Sequence, residues 1–416
     1  MTAGGGHGLL RSAGAPSRAT FLELFFDLVF VVALALLSET LVSRLNPAGV
    51  AEAAIGLLAL WWVWVVTTLV TDLYNPQSRG IQMITVGIMF GVLLMASSLP
   101  TAFTDRAGLF AGAYVAIHLA RGLFFFLFFF LTLHEFFPLT SQERSTRTRH
   151  QRMARERAVR IWAWFAISAV PWIGGVLAGE ELRLLLWTVA LVTDYTVFAL
   201  GYPLPGRARI AADQFSPTAE HLAERYHQFF IIALGDIILI AGMTFSRDTI
   251  TIARTAGFVV AFASAAILFR LYVHCAGDLL TRAIEAARTP GRFSKSAPYT
   301  HLLMVAGVMG TATSAKLVIE QPSSAVPGVW ALVIIGAPVI FLLGRTRFEY
   351  EVFGRIGWPL LAGAATLAGV LLPIATVAVL PPLPVAACVN LVLLAIIGFD
   401  LALRGRRNPV PPAPPL

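Results

Sequence analysis

Charge is what this sequence lacks. Only 13% of its 416 residues are charged while 57% are hydrophobic, and the mean hydropathy is +0.76. So little polar surface cannot coat a soluble globule of this size, which excludes an ordinary water-soluble architecture. Cysteine is nearly absent as well: Cys275 and Cys388 are the only two, each within or beside an apolar run. That excludes a disulfide framework and a Cys-based metal centre, and leaves both as packing residues. Missing too are a His-Glu-x-x-His pair, a Gly-x-Ser-x-Gly elbow, a phosphate-cradling glycine loop and a dinucleotide fingerprint, so the commonest enzyme chemistries have no signature here. No organelle address is present. The first apolar run is no secretory signal either, because it carries Glu23 and Asp27 where such a signal is purely apolar; a retained helix is expected.

What fills the chain instead is apolar sequence in runs of about 18 to 25 residues, each long enough to cross the roughly 30 Å of a bilayer core as a helix. Twelve such runs begin near residues 21, 48, 80, 107, 158, 182, 218, 253, 298, 327, 357 and 383, with no gap large enough for a soluble domain. The expected fold class is an all-α membrane protein of about twelve transmembrane helices.

The net charge of +8 is best understood by sorting the basic residues between the two ends of these helices. With the N-terminus placed in the cytoplasm, 22 Lys and Arg fall on the inside, five (Arg44, Arg106, Arg183, Arg247 and Arg254) fall outside, and four lie within helices. This positive-inside asymmetry predicts cytoplasmic N and C termini and a prokaryotic inner membrane. It also explains the basicity without a nucleic-acid partner. The segment 139–157 (LTSQERSTRTRHQRMARER) is read as a basic cytoplasmic loop that anchors topology on anionic lipid, with a regulatory or nucleic-acid contact as the lesser alternative. The tail at 405–416 is Pro-rich and expected to be extended.

An internal repeat is expected. At a shift of 200, FFDLVFVVAL (25–34) lies over RYHQFFIIAL (225–234), and at a shift of 198 Asp72-Leu73-Tyr74 lies over Arg270-Leu271-Tyr272. The chain is accordingly divided into an N-terminal segment 1–20, a six-helix repeat 21–202, a linker 203–217 and a second six-helix repeat 218–404. Six is even, so the repeats share one orientation and an axis along the membrane normal.

Ionisable side chains in hydrocarbon cost several kcal/mol each, about 2.5 to 3.5 on insertion scales, so those of the apolar runs should face the bundle interior and find partners. Glu23 and Asp27, spaced i, i+4, share one face of helix 1 with Leu34 and Ser38. Helix 7 is the richest segment, with Glu224, Arg225, His227, Gln228 and Asp236. His221 is expected to cap this helix at headgroup level, with His227 about two turns deeper. Glu224-x-x-His227 has the spacing of a bundle metal motif, but helix 1 offers no matching pair, so neither a metal nor another cofactor is expected. His118 and Arg121 on helix 4, Arg270 on helix 8 and Lys316 on helix 9 complete the set. Matching depths at about 1.5 Å per residue predicts Asp27 with Arg121 and Asp236 with Lys316 as structural ion pairs, with Asp72 and Arg270 as further members. Glu23, Asp27, Glu224, His227, Gln228 and His118 are the candidate ion, proton or substrate pathway.

RATFLELFFDLVFVVAL (18–34), LLALWWVWVVTT (57–68) and HLAERYHQFFIIALGDIILIAG (221–242) together resemble the bacterial low temperature requirement A (LtrA) family, in motif order and over nearly the whole length. The resemblance implies a polytopic inner-membrane protein of a family named for a cold-growth phenotype, and it implies no substrate. One departure is Asp236, where that family usually has Glu after Leu-Gly. In architecture alone the chain is also similar to two-repeat potassium channels, but Arg225-Tyr226-His227 replaces the pore motif in the second repeat, so channel function does not carry over. The expected function is transport of an ion, proton or small solute. The rivals are a membrane-embedded enzyme acting on lipid or isoprenoid, and a structural or stress-response membrane protein; oligomerisation is left open.

Overall fold

A computed structural model describes residues 19–131, 141–211, 219–286, 291–325 and 327–404, together with Pro414. Its elements are helices: α1 (Phe21–Ser43), α2 (Pro47–Leu73), α3 (Arg79–Ser98), α4 (Ala107–Leu131), α5 (Ser141–Leu177), α6 (Glu180–Ala199), α7 (Ala219–Ser246), α8 (Ile252–Ala286), α9 (Gly291–Glu320), α10 (Gly328–Phe353), α11 (Trp358–Val377) and α12 (Pro382–Arg404). Each of the 12 contains a stretch long and apolar enough to cross a membrane, and apart from α5 and α9, which begin earlier, they start within a few residues of where the hydropathy places them. The segment 139–157 differs from its expectation. From Ser141 it is not a loop but the first turns of α5, because nothing in Arg- and Glu-rich sequence breaks a helix. The Pro-rich tail, apart from Pro414, residues 212–217 of the linker and the first residue of the second repeat, 218, lie outside the described residues.

Local chemistry sets the helix ends. Thr20 caps α1, its hydroxyl accepting from the Glu23 amide while the Glu23 carboxylate accepts from the Thr20 amide at 2.8 Å, a reciprocal capping box. Asn46 caps α2 with Pro47 in its first turn, and Ser78 caps α3. Gly354 ends α10 in the left-handed region at φ 65°, which a side chain would strain. In α11 a π turn at Leu367–Leu371 directly precedes Pro373, whose missing N–H interrupts the regular ladder.

Burial is inverted relative to a soluble bundle. On α1 the stripe Phe21, Phe25, Leu28 and Val32 is exposed, as a lipid-facing surface would be, while Glu23, Asp27 and Ser38 are fully buried on the opposite face with Phe26, Phe30 and Leu34. Glu23 and Asp27 therefore point inward, as their spacing predicts. The most enclosed helices are α2 and α9. Trp61 and Trp64 project from one side of α2 and Trp62 from another, yet none is more than 1% exposed, so α2 is enclosed by its neighbours. Trp61 stacks on Trp64 at 4.9 Å, and Trp62 lies against Tyr195 of α6 at 4.4 Å.

The helix neighbours recur along the chain. α1 packs on α2 and α3 as α7 packs on α8 and α9; α3 meets α4 as α9 meets α10; α2 meets α6 as α8 meets α12. α9 and α10 approach closely at Gly307, where a Cβ would lie 2.8 Å from the Ala337 carbonyl oxygen. Between the two sets, α1 and α7 run side by side and parallel. Residues 198 positions apart meet repeatedly along them: Glu23 with His221, Asp27 with Arg225, and Ser38 with Asp236.

Candidate functional site: a buried charge cluster between α1, α2 and α7

The first two turns of α1, the last turn of α2 and the first turns of α7 come together at the arginine-rich end of the bundle. Asp27 receives two parallel hydrogen bonds from Arg225, Nη1 to Oδ2 and Nη2 to Oδ1, both at 2.8 Å. Trp64 Nε1 donates to Oδ1 at 2.9 Å, so both carboxylate oxygens are satisfied. Asp27 and Arg225 have no side-chain exposure. One turn toward the helix start, the imidazole of His221 bridges two further carboxylates. Nδ1 lies 3.0 Å from Asp72 Oδ1, and Nε2 lies 3.1 and 3.3 Å from the two oxygens of Glu23. Glu23 also accepts from the Thr20 hydroxyl at 2.9 Å, so the capping box that starts α1 holds this carboxylate in place.

Aromatic rings enclose the cluster. Trp61 and Trp64 of α2 lie against Phe229 of α7 at 5.2 and 4.4 Å, and Trp64 against Tyr226 at 5.3 Å. Phe30 of α1 meets Phe229 at 5.6 Å. These rings keep the charged groups in a low dielectric, where each hydrogen bond is electrostatically stronger and each unpaired charge more costly.

Proton accounting defines what the cluster can do. A neutral imidazole carries one N–H, whereas His221 faces carboxylate oxygens through both nitrogens. Two N···O hydrogen bonds need two hydrogens, so both form together only when the His221, Glu23 and Asp72 group holds one proton more than a neutral histidine between two carboxylates. That proton resides on the ring or on one of the carboxyls. With the ring protonated, His221 adds a positive charge beside Arg225 among three carboxylates; loss of the proton removes that charge. The group is a place where a proton can be stored and exchanged between defined atoms.

Several pairings expected from depth are replaced. Asp27 pairs with Arg225, not Arg121, because α1 lies against α7; equal depth fixes the level of a residue but not the direction in which its helix faces. Arg121 instead donates from Nη1 to Thr67 at 3.2 Å and touches His118 Nδ1 through Nη2. Asp236 does not reach Lys316. It accepts from Ser38 at 2.8 Å, while Lys316 Nζ donates to Glu39 at 2.6 Å near the other end of the bundle. Asp72 is joined to His221, and Arg270 lines a separate cavity with Arg345, Glu349 and Asp400. His221 is no headgroup cap: its side chain has no exposure, because Glu23 and Asp72 close over it.

Of the expected pathway residues, Glu23 and Asp27 stand in the cluster. Glu224, His227 and Gln228 are half-buried on α7: Gln228 donates to Glu224 at 2.9 Å, and the His227 ring meets Tyr272 edge-on at 5.7 Å. His118 is buried on α4 in a different cavity, stacked on Phe165 at 4.0 Å. Among the described residues no group of three or more His, Cys, Asp or Glu has the geometry to hold a metal ion.

The sequence alone sets His221 at the headgroup level and Asp72 among the structural ion pairs, and places neither beside Glu23. A signal for Glu23 was present in Thr20-x-x-Glu23, which fixes it at the third position of the helix, level with the start of α7.

Apart from Asp72, the residues of this cluster fall in the three sequence stretches that carry the family likeness, and comparison with known proteins agrees. The family model of the bacterial low temperature requirement A protein (LtrA) matches residues 18–398. An uncharacterized protein of Rhizobium meliloti (strain 1021) is 33% identical over 358 residues, covering 84% of this chain and 81% of the relative. No solved structure matches. The match spans α1 through most of α12 and includes each member of the buried cluster; the chain belongs to the bacterial low temperature requirement A (LtrA) family.

Proposed function

We propose that this protein is a transporter of the bacterial inner membrane that moves an ion or small solute in exchange with protons, and that His221, Glu23 and Asp72 are its proton site. The observation that carries this reading is the buried imidazole set between two carboxylates at the contact of α1 and α7. A group serving only to join helices needs no titratable bridge; Asn or Ser would suffice at lower desolvation cost. Glu224, His227 and Gln228, half-buried one to two turns on, extend the polar path along α7. Arg225 and Asp27 form its rigid floor.

The architecture belongs to the same proposal: two six-helix halves of one orientation, both termini in the cytoplasm, and the basic start of α5 resting on anionic lipid. It is supported by the distribution of Lys and Arg, by the recurring helix neighbours and by the parallel α1 and α7 contact. Paired helices at an approximate axis are where transporters built from repeats place their sites. The cold-growth phenotype in the family's name fits a membrane process that slows as lipids stiffen.

A second reading, assembly without transport, is favoured by one observation: Asp27 has every oxygen satisfied by Arg225 and Trp64. The two readings separate in a flux screen of purified protein in liposomes, with internal pH followed while alkali cations, ammonium, phosphate, bicarbonate and amino acids are offered outside. Solute-dependent pH change above that of empty liposomes supports transport. No change with any solute supports assembly.

A further inference from the structure

A second buried cation lies away from the α1 and α7 cluster and is used by nothing described above. Arg121 of α4 is 3% exposed, and no described carboxylate pairs with it; its guanidinium meets the Thr67 hydroxyl, His118 Nδ1 and, at 5.8 Å, the face of the Phe165 ring. His118 is 2% exposed, and its Nε2 has no hydrogen-bond partner. Both residues line a cavity of about 60 Å³ between α2, α4, α5 and α6, toward the arginine-rich end of the bundle. Its walls are apolar, with Leu69, Phe125, Ile161 and Phe198 among them, and a further cation, Arg157, contributes to the lining. None of the described lining residues is acidic.

The other half of the chain provides an internal comparison. Between α8, α10, α11 and α12 a cavity of about 50 Å³ is lined by Arg345 of α10 and by Arg270, and there the chain supplies its own acids, Glu349 and Asp400. In the α4 cavity no acidic residue is among the described lining, and Arg121 has no described carboxylate beside it.

We propose that the α4 cavity is a binding site for a carboxylate attached to an apolar group, held by Arg121 and His118. A buried guanidinium without a counter-charge is a costly state that an anion relieves. Its planar fork matches a carboxylate, and the apolar walls favour an anion that carries hydrocarbon over inorganic phosphate. His118 Nε2 supplies a second hydrogen-bonding position beside it. The apolar walls remove the attached hydrocarbon from water. Space of this size takes the head group and the first one or two carbons of a chain. The carboxylate comes either from solution, as a short-chain acid does, or from the bilayer, as a fatty acid does. The site shares no residue with the proton cluster, so it stands or falls independently of the transport reading.

The test is calorimetric titration of the full-length protein in nanodiscs with propanoate, dodecanoate and inorganic phosphate, each corrected for empty nanodiscs. Saturable one-to-one binding of propanoate, of dodecanoate or of both is expected; propanoate alone identifies a soluble acid, dodecanoate alone a bilayer-borne one. Arg121→Gln should weaken binding at least tenfold. Leu69→Trp fills the cavity from its wall without touching a charge, and should weaken binding to a similar extent, so the test survives if Arg121→Gln fails to fold. Absence of binding by the unaltered protein, phosphate binding more tightly than both carboxylates, or unchanged affinity in Leu69→Trp would overturn the proposal.

Discussion

Asp27 and Arg225, 198 positions apart in the sequence, meet through two parallel hydrogen bonds of 2.8 Å in the interior of the bundle. With no exposure on either side chain, this pair ties α1 to α7 and orients the histidine one turn away. Its removal is therefore a question of stability before it is one of function.

Arg225→Gln should destabilise the protein by about 3 to 5 kcal/mol, because it strands a buried carboxylate. Asp27→Asn should cost less than Arg225→Gln, since the neutral amide still accepts from Trp64. Exchanging the charges, Asp27→Arg with Arg225→Asp, should recover part of the loss produced by either reversal alone. Thermal unfolding in detergent gives the four corners of this cycle; additive losses would mean that the contact contributes no coupling.

Thr20→Ala should destabilise by about 1 kcal/mol through loss of the cap. It should also loosen Glu23, whose carboxylate is held by both the Thr20 amide and hydroxyl. Restoring a capping hydroxyl with Thr20→Ser should return both stability and any pH dependence of activity. If Thr20→Ala leaves activity and its pH profile untouched while stability falls, the cap serves α1 alone.

Topology gives a third expectation. In a background without Cys275 and Cys388, a cysteine at position 182 or 322 should react with an impermeant thiol reagent added to intact cells, and one at 150 or 290 should not. External labelling at 150 would place the arginine-rich end outside and overturn the proposed orientation.

The sequence showed the helices well because a membrane demands uninterrupted apolar runs of a fixed minimum length, and α1 through α12 begin within a few residues of where those runs do, apart from the hydrophilic lead-ins of α5 and α9. It showed the inward face of α1 because Glu23 and Asp27 can be buried only together. Partner choice was not legible in the same way. Helical spacing and depth give the height of Arg121 or Lys316 in the bilayer, but which helix a side chain faces depends on bundle topology. The offset that joins Asp27 to Arg225 emerges only once α1 and α7 lie in contact. His221 was misplaced for a related reason: a histidine near a helix start looks like a cap until Asp72, from the far end of α2, closes over it.

The most direct measurement is proton movement in pyranine-loaded proteoliposomes carrying the solute identified by the flux screen, comparing the unaltered protein with His221→Gln, Glu23→Gln and, as a control outside the cluster, Glu39→Gln. Gln at 221 keeps hydrogen-bonding capacity but cannot titrate near neutral pH. The account predicts that His221→Gln and Glu23→Gln fold normally and lose at least nine-tenths of the solute-dependent proton movement, while Glu39→Gln retains it. Proton movement by folded His221→Gln equal to that of the unaltered protein would contradict it.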